Sequence, residues 1–174
     1  MYMKRIVNAF DYAGHICKAM GKGILLTTKR ADQVNTMTIG WGTMGIEWGK
    51  PVFVAYVRDS RFTRELLDDT MEFTVNIPMD VADKRIVSLC GTASGRNVDK
   101  FRELGLHTQA SDIVGVPGIQ EFPLTLECKV IYRNVQDETR LPESVQQRYY
   151  SAINAKDFHI AYYGEIVNAY IIED

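Results

Sequence analysis

Two stretches of this 174-residue chain gather side chains that suit an anion. "RDSRFTRE" brings Arg58, Ser60, Arg61 and Thr63 to the point where a strand hands over to a helix. A helix start offers unpaired N–H groups and the positive end of its dipole; an arginine fork can hold two phosphoryl oxygens and a hydroxyl a third. "SGRNVDK" adds Ser94, Gly95, Arg96 and Lys100, which supply a hydroxyl, a pliant backbone and two more cations. A third stretch, "NTMTIGWG" from Asn35, offers shape instead of charge. On a strand, Met37, Ile39 and Trp41 share one face while Thr36, Thr38, Gly40 and Gly42 share the other. That second face is nearly bare, so a flat ring could lie against the backbone. Taken alone, each stretch also has a plain structural reading: a capped helix start, a solvated loop, a strand relieved of crowding by glycine.

The elements that must position these groups are mostly strands. "GILLTTK" (Gly23 to Lys29) is a short apolar run, and "RADQ" turns the chain into the Asn35 stretch. "PVFVAYV" from Pro51 is apolar on both faces and predicts a central strand. "MEFTVNIP" alternates with period two, and "PLTLECKVIYRNV" sends Leu124, Leu126, Cys128, Val130 and Tyr132 inward. "HIAYYGEIVNAYIIE" is the last strand. Thr63 is the expected cap of one short helix and Asp80 of a second that stops at Gly91; Val98, Phe101 and Leu104 share the face of a third. The segment between the last two strands predicts a polar loop carrying a short helix. Strands without regular strand–helix alternation favour a mainly β fold, an antiparallel barrel with a few short helices, spanning residues 1–174 as one domain.

Composition narrows the function. Twenty basic residues against twenty-two acidic ones give a net charge of -2, so no global field attracts nucleic acid and any anion site must be local. Cys17, Cys90 and Cys128 are far apart and predict idle thiols, neither a disulfide framework nor a metal site. The N-terminus lacks a long apolar run, which points to the cytoplasm and away from a membrane. His15 and His107 have no identifiable partner, and Trp41 and Trp48 are expected to fill a core or an interface.

Read in order, "NTMTIGWG", "KPVFVAYV", "RFT", "FTVN", "SGRNVDKF", "LEC" and "HIAYYGEI" resemble the flavin reductase-like family with an FMN-binding split barrel, its flavoredoxin branch in particular. The resemblance implies an antiparallel split β-barrel that forms a homodimer and binds FMN near the subunit interface. It implies that Arg61, Thr63, Ser94 and Lys100 meet the phosphate, with Ser60, Gly95 and Arg96 beside them. The ring would lie along Asn35, Thr36, Met37 and Thr38, with His159 and Trp41 as further candidates. The function implied is an oxidoreductase passing hydride from NAD(P)H through FMN to a flavin or another acceptor. The alternatives are an FMN electron carrier reduced by a protein partner and a barrel that acts only as a binding module. The cofactor carries the hydride chemistry, so no side-chain acid or base is required and no catalytic residue is assigned.

Overall fold

The computed structural model describes residues 3–151 and 156–173. Its spine is a pair of long antiparallel strands, β9 (Leu124–Val135) and β10 (His159–Glu173). Around them a single sheet runs in the order β3 (Gln33–Ile39), β2 (Ile24–Arg30), β6 (Glu72–Ile77), β9, β10, β5 (Lys50–Arg58), β4 (Gly42–Glu47), antiparallel at every step. β1 (Met3–Ile6) pairs with the far end of β10. β3 and β4 are the two ends of this path, yet only Gly40 and Trp41 separate them in the chain. Three steps of chain span at most about 11 Å. The sheet must therefore curl until its ends approach, which makes a barrel whose seam is not closed by a ladder. This is the split barrel.

Its interior is filled by Ile24, Leu26, Phe53, Phe73, Leu126 and Tyr162, all fully buried. The close approach of β10 to β6 requires Gly164, because a Cβ there would lie 2.4 Å from the Phe73 ring. A second apolar layer covers the outside of β2 and β6. Leu25, Ile86, Cys90, Leu106, Ile119 and Phe122 pack there beneath α3 (Lys84–Thr92), α4 (Lys100–Leu104) and the segment that pairs β7 (Thr108–Gln109) with β8 (Gly118–Ile119).

This covering explains why strand alternation reads only one side of β9. Leu124, Leu126 and Cys128 enter the core as expected, but Thr125 and Glu127 are also fully buried, and Tyr132 is 44% exposed where the strand leaves the barrel. Glu127 is satisfied by backbone N–H groups of Asp112, Ile113 and Val114 at 2.7–3.0 Å, which pin the covering loop. The helices shift by a few residues from their expected places. α2 (Phe62–Thr70) is capped by Arg61, with Thr63 inside its first turn. Asp83, not Asp80, caps α3, its carboxylate accepting from the Arg85 N–H, and Gly91 lies within the last turn. α5 (Glu143–Tyr149) is the helix of the polar loop, whose residues 152–155 lie outside the described ones. α1 (Ala13–Met20) has no counterpart in the sequence reading; it puts Ile16 and Met20 into the core.

Neither tryptophan is a core residue: Trp41 follows the end of β3 and is 41% exposed, and Trp48, in the β4–β5 turn, is 61% exposed. Among the described residues no helix is long and apolar enough to cross a membrane, and no cluster of His, Cys, Asp and Glu could hold a metal.

Candidate functional site

The seam of the barrel carries two adjoining cavities. The first, about 320 Å³, lies between β3, the start of α2 and the loop after α3. The second, about 170 Å³, follows the free edge of β3 toward Trp41 and His159 and shares Met37, Arg58 and Arg61 with the first. Asn35, Met37, Ser60, Arg61, Thr63, Ser94, Gly95, Arg96 and Lys100, far apart in sequence, all line the first cavity.

The chemistry of the first cavity is that of an anion site. The Phe62 and Thr63 N–H groups, at the start of α2, have no acceptor among the described residues, and no side chain caps them. The Arg61 guanidinium has no partner among the described residues either. Ser94 accepts from the Arg96 N–H, so its own hydroxyl proton remains available. Lys100 is only 4% exposed; its Nζ donates to the Thr36 carbonyl at 2.8 Å and the Cys90 carbonyl at 3.2 Å. An ammonium has three donors, so one is left over. Burial lowers its pKa to about 8, the Cys90 thiol opposing and Arg61 adding to that shift. The carboxylate in the wall, Asp157, is engaged by the Ser60 N–H and hydroxyl at 2.9 and 2.7 Å. Arg58, Arg61 and Lys100 against the one carboxylate leave a surplus of positive charge in a half-enclosed site, which fits a phosphoryl dianion.

Other residues of the set serve as framework. Arg96 pairs with Glu65 and donates to the Ser60 carbonyl at 3.3 Å, fastening the loop after α3 to α2. Asn35 donates to Thr63 Oγ1 at 2.8 Å. Gly95 sits so close to Asn35 that a Cβ would fall 2.1 Å from its amide oxygen.

The Thr36–Thr38 side chains do not form a bare platform. α3 covers that face: Thr38 Oγ1 donates to the Val87 carbonyl at 2.7 Å, and Thr36 Oγ1 turns to Leu26 and Thr27. The cavities open instead on the opposite face, through Asn35 and Met37, and along the strand edge. Because the Thr36 carbonyl points away from β2 to Lys100, period two puts the Thr38 N–H and C=O on the same free edge. These threonines face the site with main chain, not hydroxyls.

The sequence reading missed the groups that hold His159. His159 is 6% exposed, and its Nδ1 lies 2.6 Å from Tyr150 Oη. The His159 N–H donates to Gln136 Oε1 at 3.1 Å, and Tyr150 Oη donates to the same oxygen at 2.8 Å. A phenol has one proton, so His159 Nδ1 must supply the proton of the remaining contact, and Nε2 is left as an acceptor. Burial, then Arg58, with Arg61 adding and Asp157 opposing, lowers the His159 pKa to about 4. The ring is neutral at pH 7. Arg58 itself donates to the Tyr149 and Asp157 carbonyls, holding the two ends of this loop. The only sequence signal for this apparatus is its aromatic density. The other histidines do have partners: His15 Nε2 meets the Pro78 carbonyl and His107 Nδ1 meets Glu121, each at 2.7 Å.

Residues 19–174 match the family model described as flavin reductase like domain. The chain belongs to the flavin reductase-like family. Among curated relatives of this family member, the uncharacterized protein YddH of Escherichia coli strain K12 is 30% identical over 114 residues, 64% of this chain; the match spans 59% of that relative's length. The flavoredoxin of Desulfovibrio vulgaris (Miyazaki F) superposes with a TM-score of 0.64 at 22% identity, over 86% of this chain and 68% of the other. An FMN-binding domain of a flavin reductases-like enzyme from Shewanella baltica OS155 gives 0.66 at 16% identity, over 97% and 77%. At these identities the likeness is one of fold.

The His159 environment generates a pH prediction. The folded pKa of about 4 lies below the ordinary 6.5, so the unfolded chain takes up the proton first and this group lowers stability as pH falls from 6.5 toward 4. Each pKa unit corresponds to about 1.4 kcal/mol. Urea titrations at pH 7 and 4.5 are expected to show the stability gap between wild type and His159→Asn narrowing by about 2 kcal/mol at the lower pH. An unchanged gap would show that His159 is not held neutral by its surroundings.

Proposed function

We propose that this chain is an FMN-binding oxidoreductase of the flavin reductase type. The observation that carries the reading is the first cavity: Arg61, the spare donor of Lys100, the Ser94 hydroxyl and the free N–H groups of α2 converge there, and the single carboxylate in the wall, Asp157, is outnumbered by Arg58, Arg61 and Lys100. A flavin phosphate carries about two negative charges and three acceptor oxygens at neutral pH, matching that set. The isoalloxazine belongs in the adjoining cavity, where the β3 edge offers the main chain of Thr38 and His159 offers an Nε2 lone pair. When bound, FMN supplies the capacity to take a hydride from a nicotinamide and pass electrons to a second flavin or another acceptor. The protein's part is to anchor the phosphate, present fixed hydrogen-bonding groups to the ring edge and keep a path to one ring face.

The flavoredoxin likeness favours a second reading, an electron carrier reduced by a protein donor. The two differ in one event. A reductase accepts hydride from NADH or NADPH directly; a carrier does not.

Purified protein is expected to scatter as a homodimer and to bind FMN with quenching of its fluorescence. Arg61→Ala should weaken FMN by about 10- to 100-fold, the loss of a charged hydrogen bond of roughly 1.5–3 kcal/mol. Riboflavin, which lacks the phosphate, should lose far less than FMN, because Arg61 only borders the ring cavity. No FMN binding, or an equal loss for riboflavin, would overturn the phosphate assignment. Anaerobic mixing of the loaded protein with NADH and with NADPH then separates the two functions. Bleaching of the flavin band at catalytic rates supports the reductase, and bleaching only with a protein donor supports the carrier.

A further inference from the structure

Beyond the ring cavity the seam opens into a third cavity of about 490 Å³, between the end of α1, the β3–β4 connection and β5. It shares Gly40, Trp41 and Tyr56 with the ring cavity, so a molecule there would sit end-on to the flavin reading above. The walls differ in kind from those of the anion site. No Asp, Glu, Lys, Arg or His lines this cavity. The pyrophosphate of a nicotinamide dinucleotide would find no cation there, and an uncharged ligand would find no desolvated charge to offset.

Polarity comes from Gln136 and Tyr56. The Gln136 amide cannot turn freely, because its oxygen receives the Tyr150 hydroxyl and the His159 N–H. Its Nε2 is thereby set as a donor, and it has no partner among the described residues. The Trp41 indole is fixed in turn: Tyr149 meets it edge-on at 5.0 Å, and the neutral His159 ring lies at 4.9 Å. An oriented donor beside a half-exposed aromatic plane selects a flat molecule that presents a carbonyl oxygen.

We propose that the third cavity binds the electron acceptor, and that this acceptor is an uncharged planar carbonyl compound, a quinone or aromatic ketone, held by the Gln136 amide against Trp41. The acceptor role rests on the flavin reading; the binding does not. Gln136 is also a positioning residue for His159, since it fixes the Tyr150 proton and so the imidazole tautomer.

Duroquinone is a suitable probe, because its fully substituted ring leaves no open carbon for the nearby Cys17 thiol to attack. Calorimetric titration is to be run on FMN-loaded and flavin-free protein. Two variants separate cavity from fold. Gly21→Leu fills the third cavity where the backbone is ordinary (φ -60°) and a Cβ meets nothing nearer than the Lys18 carbonyl at 3.6 Å; Gly21 touches neither of the other cavities. Gln136→Glu keeps the inward acceptor for Tyr150 and His159 but turns the outward donor into an acceptor. Wild type is expected to bind one duroquinone per chain, and each variant to weaken it at least tenfold. FMN affinity of Gly21→Leu should stay within twofold of wild type. No saturable duroquinone binding by wild type, or equal binding by wild type and Gly21→Leu, would overturn the proposal. Duroquinone binding by a protein that takes no FMN would overturn the acceptor role and the flavin reading together.

Discussion

The site depends on one buried ammonium. Lys100 Nζ bridges the Thr36 carbonyl on the free edge of β3 and the Cys90 carbonyl near the end of α3. Burying a cation without a counter-charge is costly, and two neutral carbonyls offset only part of that cost. The balance shows in the lowered pKa. The same contact does structural work: it fastens α4 and α3 to the free edge of β3, one of the two end strands that flank the open seam. An exposed edge is ordinarily a hazard, and here a helix pair and a lysine cover part of it while the remainder faces the cavities.

Around that clamp, the fold brings together segments that are remote in the chain. The barrel must curl because two residues join its end strands, and the resulting seam places the start of α2 opposite the loop after α3. Arg96 paired with Glu65, Asn35 bonded to Thr63 and the Ser60–Asp157 pair hold the segments in register. The groups left unpaired after these bonds are made are cations and donors. That residue of unsatisfied charge, more than any single motif, is what distinguishes the cavity from an ordinary polar cleft.

Much of this was legible in the sequence, and the parts that were not have identifiable physical causes. Period-two alternation locates β6 and β9, and the joint order of "RFT", "SGRNVDKF" and "HIAYYGEI" points to the family and gathers the cavity-lining residues. Alternation gave the two faces of β3 but not which of them a helix would cover, so the threonine face appeared open when α3 lies on it. Aromatic bulk suggests a core or an interface for Trp41, but β3 ends at Ile39, so Trp41 leaves the strand and stays 41% exposed outside the core. α1 was invisible because its short apolar stripe has no flanking cap signal: Tyr12 precedes it without a capping hydrogen bond. The Gln136–Tyr150–His159 chain joins residues 9 to 23 positions apart through loop geometry, which no periodicity encodes.

The central claim, that Lys100 and its neighbours hold a phosphoryl dianion, is tested most directly by the pH dependence of FMN dissociation between pH 7 and 9.5 in wild type and in Lys100→Met. The flavin phosphate is dianionic through this range. Free Lys100 loses its proton near pH 8, while a bound dianion would hold it charged, so wild-type affinity should fall as pH rises past 8. In Lys100→Met the dissociation constant should be higher and nearly flat. A flat profile in the wild type, or the same slope in both proteins, would contradict the account.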